Sequence, residues 1–175
     1  MLRKQKKLRR NREVHNFNTA KEAAIVFDTP DHETFRHIRA FSKYLEEFGI
    51  RTRLLGYIDS DEIPGDLLLW ENCQVISRKD LDYFFRPKDA EVLGFIDRDF
   101  DIMFNLSKEN YFPITYITTL SRAKFKVGRY SGGENNSDFM INISSDPSVE
   151  FLIAQVKNYV SILNNQKEAG KISTK

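Results

Sequence analysis

Apolar and polar positions alternate along this chain with two different periods. Glu22 to Asp28, EAAIVFD, is an apolar run that ends in an acid and has the length of a buried strand. The next stretch, TPDHETFRHIRAFSKYLEEFG, has helical spacing. Phe35, Ile38, Phe41 (or Ser42), Leu45 and Phe48 share one face, and the pattern stops at Gly49. Thr29 can cap this helix, with Pro30 at its first position, where a missing N–H costs nothing. RTRLLGYID then reads as a second strand ending in Asp59. A strand, a long helix and a second strand make a βαβ unit, which implies a parallel pair joined by a right-handed crossover.

The same reading continues to the end. CQVIS is a third strand and RKDLDYFFRP a loop. Pro87 opens a helix over KDAEVLGFIDR, and DFDIMFNLS is a fourth strand. ENYFPITYITTLS is a helix, AKFKVGRY a fifth strand, SGGENNSD a turn-rich loop and FMINIS a sixth strand. Asp146 and Pro147 cap and start a last helix, with Phe151, Leu152, Val156, Tyr159, Val160 and Leu163 as its buried stripe. Strands alternating with helices predict an α/β fold. The expected architecture is a single-layer, mostly parallel sheet of five or six strands flanked by helices, Rossmann-like or flavodoxin-like. The expected organisation is a basic arm over 1–21, one domain over 22–164 and a polar tail over 165–175.

Composition adds a compartment. With 14 Phe and 7 Tyr in 175 residues, the chain can fill a core. Its one cysteine, Cys73, excludes an internal disulfide and a cysteine metal cluster, which fits a reducing compartment. No apolar run approaches the roughly 20 residues of a membrane span, and the opening lacks the apolar stretch of a secretory signal. A cytoplasmic location is expected.

Charge adds more. Residues 1–12 hold Arg3, Lys4, Lys6, Lys7, Arg9, Arg10 and Arg12 and no acid, a charge of +7, whereas the rest of the chain holds 20 basic against 25 acidic residues. A basic arm on an acidic body suits the phosphates of RNA or the ribosome, which need no pocket. An acidic protein or a membrane surface is a weaker match. Only Leu2, Leu8 and Val14 could form the apolar face of a membrane helix. Aromatic residues are not interleaved with the basic ones, so base stacking by the arm is not expected.

HNFNTAKEAAIVFD, DFDIMFNLS and AKFKVGRY resemble an uncharacterised family of small Bacteroidota proteins, from about Val14 to Leu163. The resemblance implies a bacterial cytoplasmic protein and no chemistry. The strand–helix–strand order around DFDIMFNLS is also similar to the N-terminal half of heptosyltransferase-type glycosyltransferases. Those enzymes need a second domain, so this likeness implies shared layout.

The catalytic readings are thin. A dinucleotide fold carries G-x-G-x-x-G after its first strand, where this chain reads DTPDHE, and a Walker loop is missing. A phosphoacceptor receiver site would gather acids at strand ends. Asp28 and Asp59 fit that placing, but Asp99 and Asp101 fall at the start of the fourth strand, the opposite edge. His32 and His37 are five apart, unsuited to shared metal ligation, and the histidines read as surface groups on the first helix. Cys73 reads as a buried structural thiol, and DSDEIPGD as a solvated acidic loop without a calcium-loop ligand order. No catalytic residue, metal or cofactor is assigned.

One positional argument remains: open α/β sheets bind ligands beyond the carboxyl ends of their strands. Those ends carry Asp28, Thr29, Asp59, Asn105, Ser107, Arg129 and Tyr130. Helix capping competes for several of them. The reading is a non-enzymatic binding or adaptor protein tethered to RNA or the ribosome by its arm. The alternative is an enzyme or sensor holding a nucleotide or sugar phosphate in the strand-end cleft.

Overall fold

A computed structural model describes residues 10–28, 31–133 and 136–164. Six strands form one all-parallel sheet: β1 (Glu22–Asp28), β2 (Arg51–Tyr57), β3 (Cys73–Ile76), β4 (Ile102–Asn105), β5 (Phe125–Arg129) and β6 (Phe139–Ile141). Their order is β3-β2-β1-β4-β5-β6. Direction along the sheet therefore reverses between β1 and β4, the doubly wound order of dinucleotide-binding folds. Four helices flank it: α1 (His32–Glu47), α2 (Ala90–Asp97), α3 (Phe112–Leu120) and α4 (Val149–Ile162).

Each face has its own core. Ala23, Ile25 and Phe27 of β1 pack with α1 and α4, while Ala24 and Val26 pack with α2 and α3. A strand covered on both sides loses its period-two alternation, which is why EAAIVFD is a continuous apolar run. Phe104 of β4 sits between Phe17 and Phe41, 6.4 and 5.1 Å from their ring centres. On α1 the buried positions are Thr34, Ile38, Phe41, Ser42 and Leu45. The Ser42 and Thr52 hydroxyls satisfy each other at 2.7 Å within that core.

The helix starts differ from the sequence reading. Asp31 caps α1, its carboxylate accepting from Thr34 N–H at 2.6 Å. Thr29 and Pro30 lie outside the described residues. Pro87 does not open α2. It bridges to Leu81, and Asp89 caps the helix instead, accepting from Glu91 N–H. Ser148, not Asp146, caps α4, and Asp146 supports it by accepting from Ser148 N–H at 2.9 Å. Each cap is an Asp or Ser whose side-chain oxygen accepts from an N–H of the first turn. Gly49, at φ +74°, ends α1 with its N–H on Glu46 C=O, as the αL stop requires. The α4 stripe also differs. Val149 and Ile153 are buried, and Tyr159 is exposed.

Among the described residues two connections between parallel strands carry no α-helix: β2 to β3, with only a 3-10 turn at Gly65–Leu69, and β5 to β6. β5 and β6 run parallel although only residues 130–138 join them. Before β1, residues 13–20 lie on the body. Glu13 N–H donates to Lys124 C=O, Asn16 Nδ2 to Leu163 C=O and Asn164 Nδ2 to Val14 C=O, and the Phe17 side chain is buried in the core. No helix among the described residues is long and apolar enough to cross a membrane.

Candidate functional site

Ligand sites in this strand order lie at the carboxyl edge, where β1 and β4 diverge. Here Asp28 occupies that crevice. Its side chain is buried and accepts from Lys108 N–H at 2.8 Å and Glu109 N–H at 2.9 Å, which pins the β4–α3 turn. Two N–H bonds satisfy the buried carboxylate in place of a ligand. Asp59 accepts from the Tyr57 hydroxyl at 3.0 Å. Burial first, and the Asp59 carboxylate second, push the Tyr57 hydroxyl well above its ordinary range. Tyr57 in turn packs on Tyr111, 5.2 Å between rings. Asp28 and Asp59 are committed to these contacts, and neither is among the described residues that line the cavity beside Asn105.

The cavity lies one strand further along, over the ends of β4 and β5. It holds about 230 Å³ and is lined by Asn105, Ser107, Thr115, Thr118, Arg129 and Asn136, among others. Three local features build it. Asn105, the last residue of β4, accepts from Ser107 N–H at 3.1 Å and turns the chain. Gly128 lets Ser137 approach β5, since a Cβ there would stand 2.5 Å from Ser137 Oγ. On α3, Thr118 turns its hydroxyl back onto Ile114 C=O at 2.9 Å.

Two observations give the cavity a chemical character. Ser107 is 6% exposed, and its hydroxyl has no hydrogen-bond partner among the described residues. Such a group keeps its desolvation cost until something bonds to it. Arg129 is the one charged side chain among the described lining residues; the rest are hydroxyls, amides and a glycine. The α3 N-terminus has no side-chain cap and no acid in its first turn, although the Asp28, Asp59 and Glu109 carboxylates act on Tyr111 at its N-cap. Neutral donors and acceptors around one cation suit a small hydroxylated anion. The volume falls below the roughly 300–1,000 Å³ of pockets for drug-sized ligands.

A larger cleft of about 920 Å³ opens at the opposite, amino edge, between α2 and the β2–β3 border. Its charges are mixed, Glu22, Glu71 and Glu91 against Arg51, Arg53 and Arg98. Glu22 accepts from Arg98 and Arg51, and the Arg98 hydrogen bond holds its carboxyl below the usual range. Beside it, Asp101 accepts from Lys21 and Glu22 N–H and from Lys124 Nζ. Burial acts against its carboxylate, but these bonds outweigh it and hold the pKa low. Asp99 pairs with Arg122. These acids close the sheet's amino edge by ion pairs, and no group of three or more potential metal ligands forms among the described residues.

The basic arm enters the described structure at its end. Arg10 is ion-paired with Asp138, its side chain only 8% exposed, while Arg12 Nε lies 3.7 Å from the same carboxylate on a side chain that is 77% exposed. Arg3, Lys4, Lys6, Lys7 and Arg9 lie outside the described residues. Asp138 also accepts from Lys126 N–H at 2.8 Å. Lys126 itself is buried, with Nζ donating to Thr118 C=O at 2.5 Å and Thr119 C=O at 3.3 Å. Burial, and then the Arg10 charge, pull its pKa down to about 8. The only sequence signal for this lysine was its place inside an apolar strand, KFKV.

The remaining candidates have structural partners. Burial pushes the Cys73 thiol up to about 12, so it is no nucleophile at neutral pH. His32 is exposed beside Asp66, and His37 is half-buried near Glu33 and Glu150. His15 departs from the expected surface placement. It precedes β1, is buried, and neither ring nitrogen has a hydrogen-bond partner among the described residues.

A search of the curated proteins finds no match. One family model covers residues 1–163, and by that match the chain belongs to the family of unknown function DUF6913.

Proposed function

We propose that this protein binds a small hydroxylated anion, of the sugar-phosphate class, in the cavity between the ends of β4 and β5. The buried, unpartnered Ser107 hydroxyl carries the reading, because a ligand oxygen would remove a cost the free protein bears. Arg129 supplies the countercharge, and Asn105 and Asn136 supply donors and acceptors. Binding fits better than catalysis. Among the described residues no histidine or carboxylate lines the cavity, so none of them is a base adjacent to Ser107. A bacterial cytoplasmic setting belongs to the same reading. The resemblance to small Bacteroidota proteins implies it, and a lone cysteine needs no oxidising compartment.

The test is thermal unfolding with glucose 6-phosphate, glucose and inorganic phosphate. Ligand at about 100 times its Kd stabilises by about 2.7 kcal/mol. A rise in Tm with the sugar phosphate that disappears in Arg129→Gln supports the proposal. No rise with any of the three removes it.

A second reading keeps the arm as an RNA or ribosome tether, on the observation that Arg12 remains mostly exposed while Arg10 anchors the arm to Asp138. Replacing Arg3, Lys4, Lys6, Lys7 and Arg9 by Gln leaves that anchor intact. Co-sedimentation with ribosomes should then be lost, and in the unsubstituted protein it should weaken steeply with salt. Equal sedimentation of both proteins excludes the tether.

A further inference from the structure

Residues 82–86, DYFFR, form a short loop after β3 that presents Tyr83, Phe84 and Phe85 to solvent at 91%, 62% and 63% exposure. Three adjacent exposed aromatics are a large apolar surface for a water-soluble protein to carry without use. The loop is built to hold them out. Asp82 N–H donates to Arg86 C=O and Phe85 N–H to Asp82 C=O, while the Asp82 carboxylate accepts from the N–H of Phe84 and Arg86. Arg86 neutralises that carboxylate at 2.7 Å and lays its guanidinium 5.0 Å from the Phe84 ring centre. Phe85 takes a left-handed conformation, φ +59°, to close the turn. Leu81 and Pro87 bridge at its base.

We propose that this loop is an interfacial wedge that seats the protein on an anionic lipid surface. Three features favour lipid over other occupants. The N–H groups of Asp82, Phe84, Phe85 and Arg86 are all bonded within the loop, so of the five N–H groups of the tip only that of Tyr83 needs a headgroup or water partner at an apolar boundary. The one acid at the tip is already paired. Of the four basic residues over 78–88, Arg78 pairs with Asp61 and Arg86 with Asp82, which leaves Lys79 and Lys88 outside those pairs, on a body that is acidic overall. Two lysines flanking the aromatic rings match the headgroup region of an anionic bilayer. Nucleic acid fits less well, because Tyr83 and Phe84 meet edge to face at 86° and offer no parallel platform for successive bases.

The test uses the full chain with Phe84→Trp, read as the emission difference from the unsubstituted protein, which holds one Trp. The probes are vesicles of equimolar phosphatidylglycerol and phosphatidylcholine, and of phosphatidylcholine alone. A blue shift with the anionic vesicles, quenched by brominated acyl chains, is expected, and little change with the neutral ones. Electrostatic attraction through the arm alone would bind vesicles without moving this signal. In co-sedimentation, Tyr83→Ser/Phe84→Ser/Phe85→Asn should weaken anionic-vesicle binding by about tenfold or more, with its circular dichroism unchanged; Asn tolerates the positive φ. Undiminished binding by that variant overturns the proposal. So does an unshifted difference emission from Phe84→Trp, or self-association that the triple substitution abolishes in the absence of vesicle binding.

Discussion

Ser107 bears a hydroxyl buried without a partner, and such a group costs about 1–3 kcal/mol. Ser107→Ala should therefore raise the unfolding free energy of the free protein by about 1 kcal/mol, measured by urea titration, while weakening sugar-phosphate stabilisation. A destabilised variant would mean that the hydroxyl bonds within the fold. Lys126 makes the opposite kind of statement. Its folded pKa is near 8, against 10.5 for an ordinary lysine. Between those values the unfolded chain keeps the proton that the folded one has released, so this residue's contribution to stability rises with pH. Below about pH 8 both states are protonated and the contribution is flat. The stability of the unsubstituted protein minus that of Lys126→Met should climb between pH 8 and 10.5. A level difference across that window would show the ammonium to be better solvated than its surroundings imply.

At the scale of elements, the β5–β6 connection is the unusual part. Parallel neighbours ordinarily need a crossover of about a dozen residues or more, with a helix. Here a shorter loop returns across the α3 side of β5 and walls the cavity. That closeness depends on Gly128 having no side chain. Gly128→Ala should cost about 1–3 kcal/mol, because the short Ser137 side chain must give way with its backbone. Adding Ser137→Gly should recover much of the loss, and a double-mutant cycle in urea reads the coupling. Independent effects would place the strain elsewhere.

For the whole molecule, charge is divided by edge. The amino edge is closed by carboxylate pairs around Glu22 and Asp101, whose pKa values both lie below ordinary carboxylates. A depressed carboxylate stabilises the fold above its unfolded pKa and ceases to as pH falls through its folded one. Acid unfolding should thus set in below about pH 4.5, where unfolded Glu22 starts to take up protons. Glu22→Gln should flatten the stability profile in that window, followed by circular dichroism. The carboxyl edge carries the neutral, hydrogen-bonding cavity with Arg129, and the wedge loop follows β3. The proposed anion site, the proposed lipid contact and the acid-labile ion pairs therefore lie on separate parts of one fold.

The amino-acid order by itself determined the sheet. EAAIVFD reads as a strand, and β1 spans Glu22–Asp28, because a strand buried on both faces must be apolar throughout. The α1 face over Ile38, Phe41 and Leu45 and its stop at Gly49 follow from helical spacing and from glycine's ease at positive φ, whereas Phe48, expected on the same face, is exposed and Phe35 only partly buried. Asn105, Ser107 and Arg129 were legible as neighbours at one sheet edge, where they line the same cavity, because the ends of parallel strands meet there. What the tertiary structure alone decided was how each polar group is used. Asp28 and Asp59 sit at strand ends too, but two amides and a tyrosine hydroxyl claim them. Arg10 looks like its six basic neighbours in sequence, yet Asp138, 128 residues away, takes it into the fold. Local pattern reports which faces are buried. Partner choice depends on groups brought together from distant parts of the chain, and only the packed sheet sets those distances.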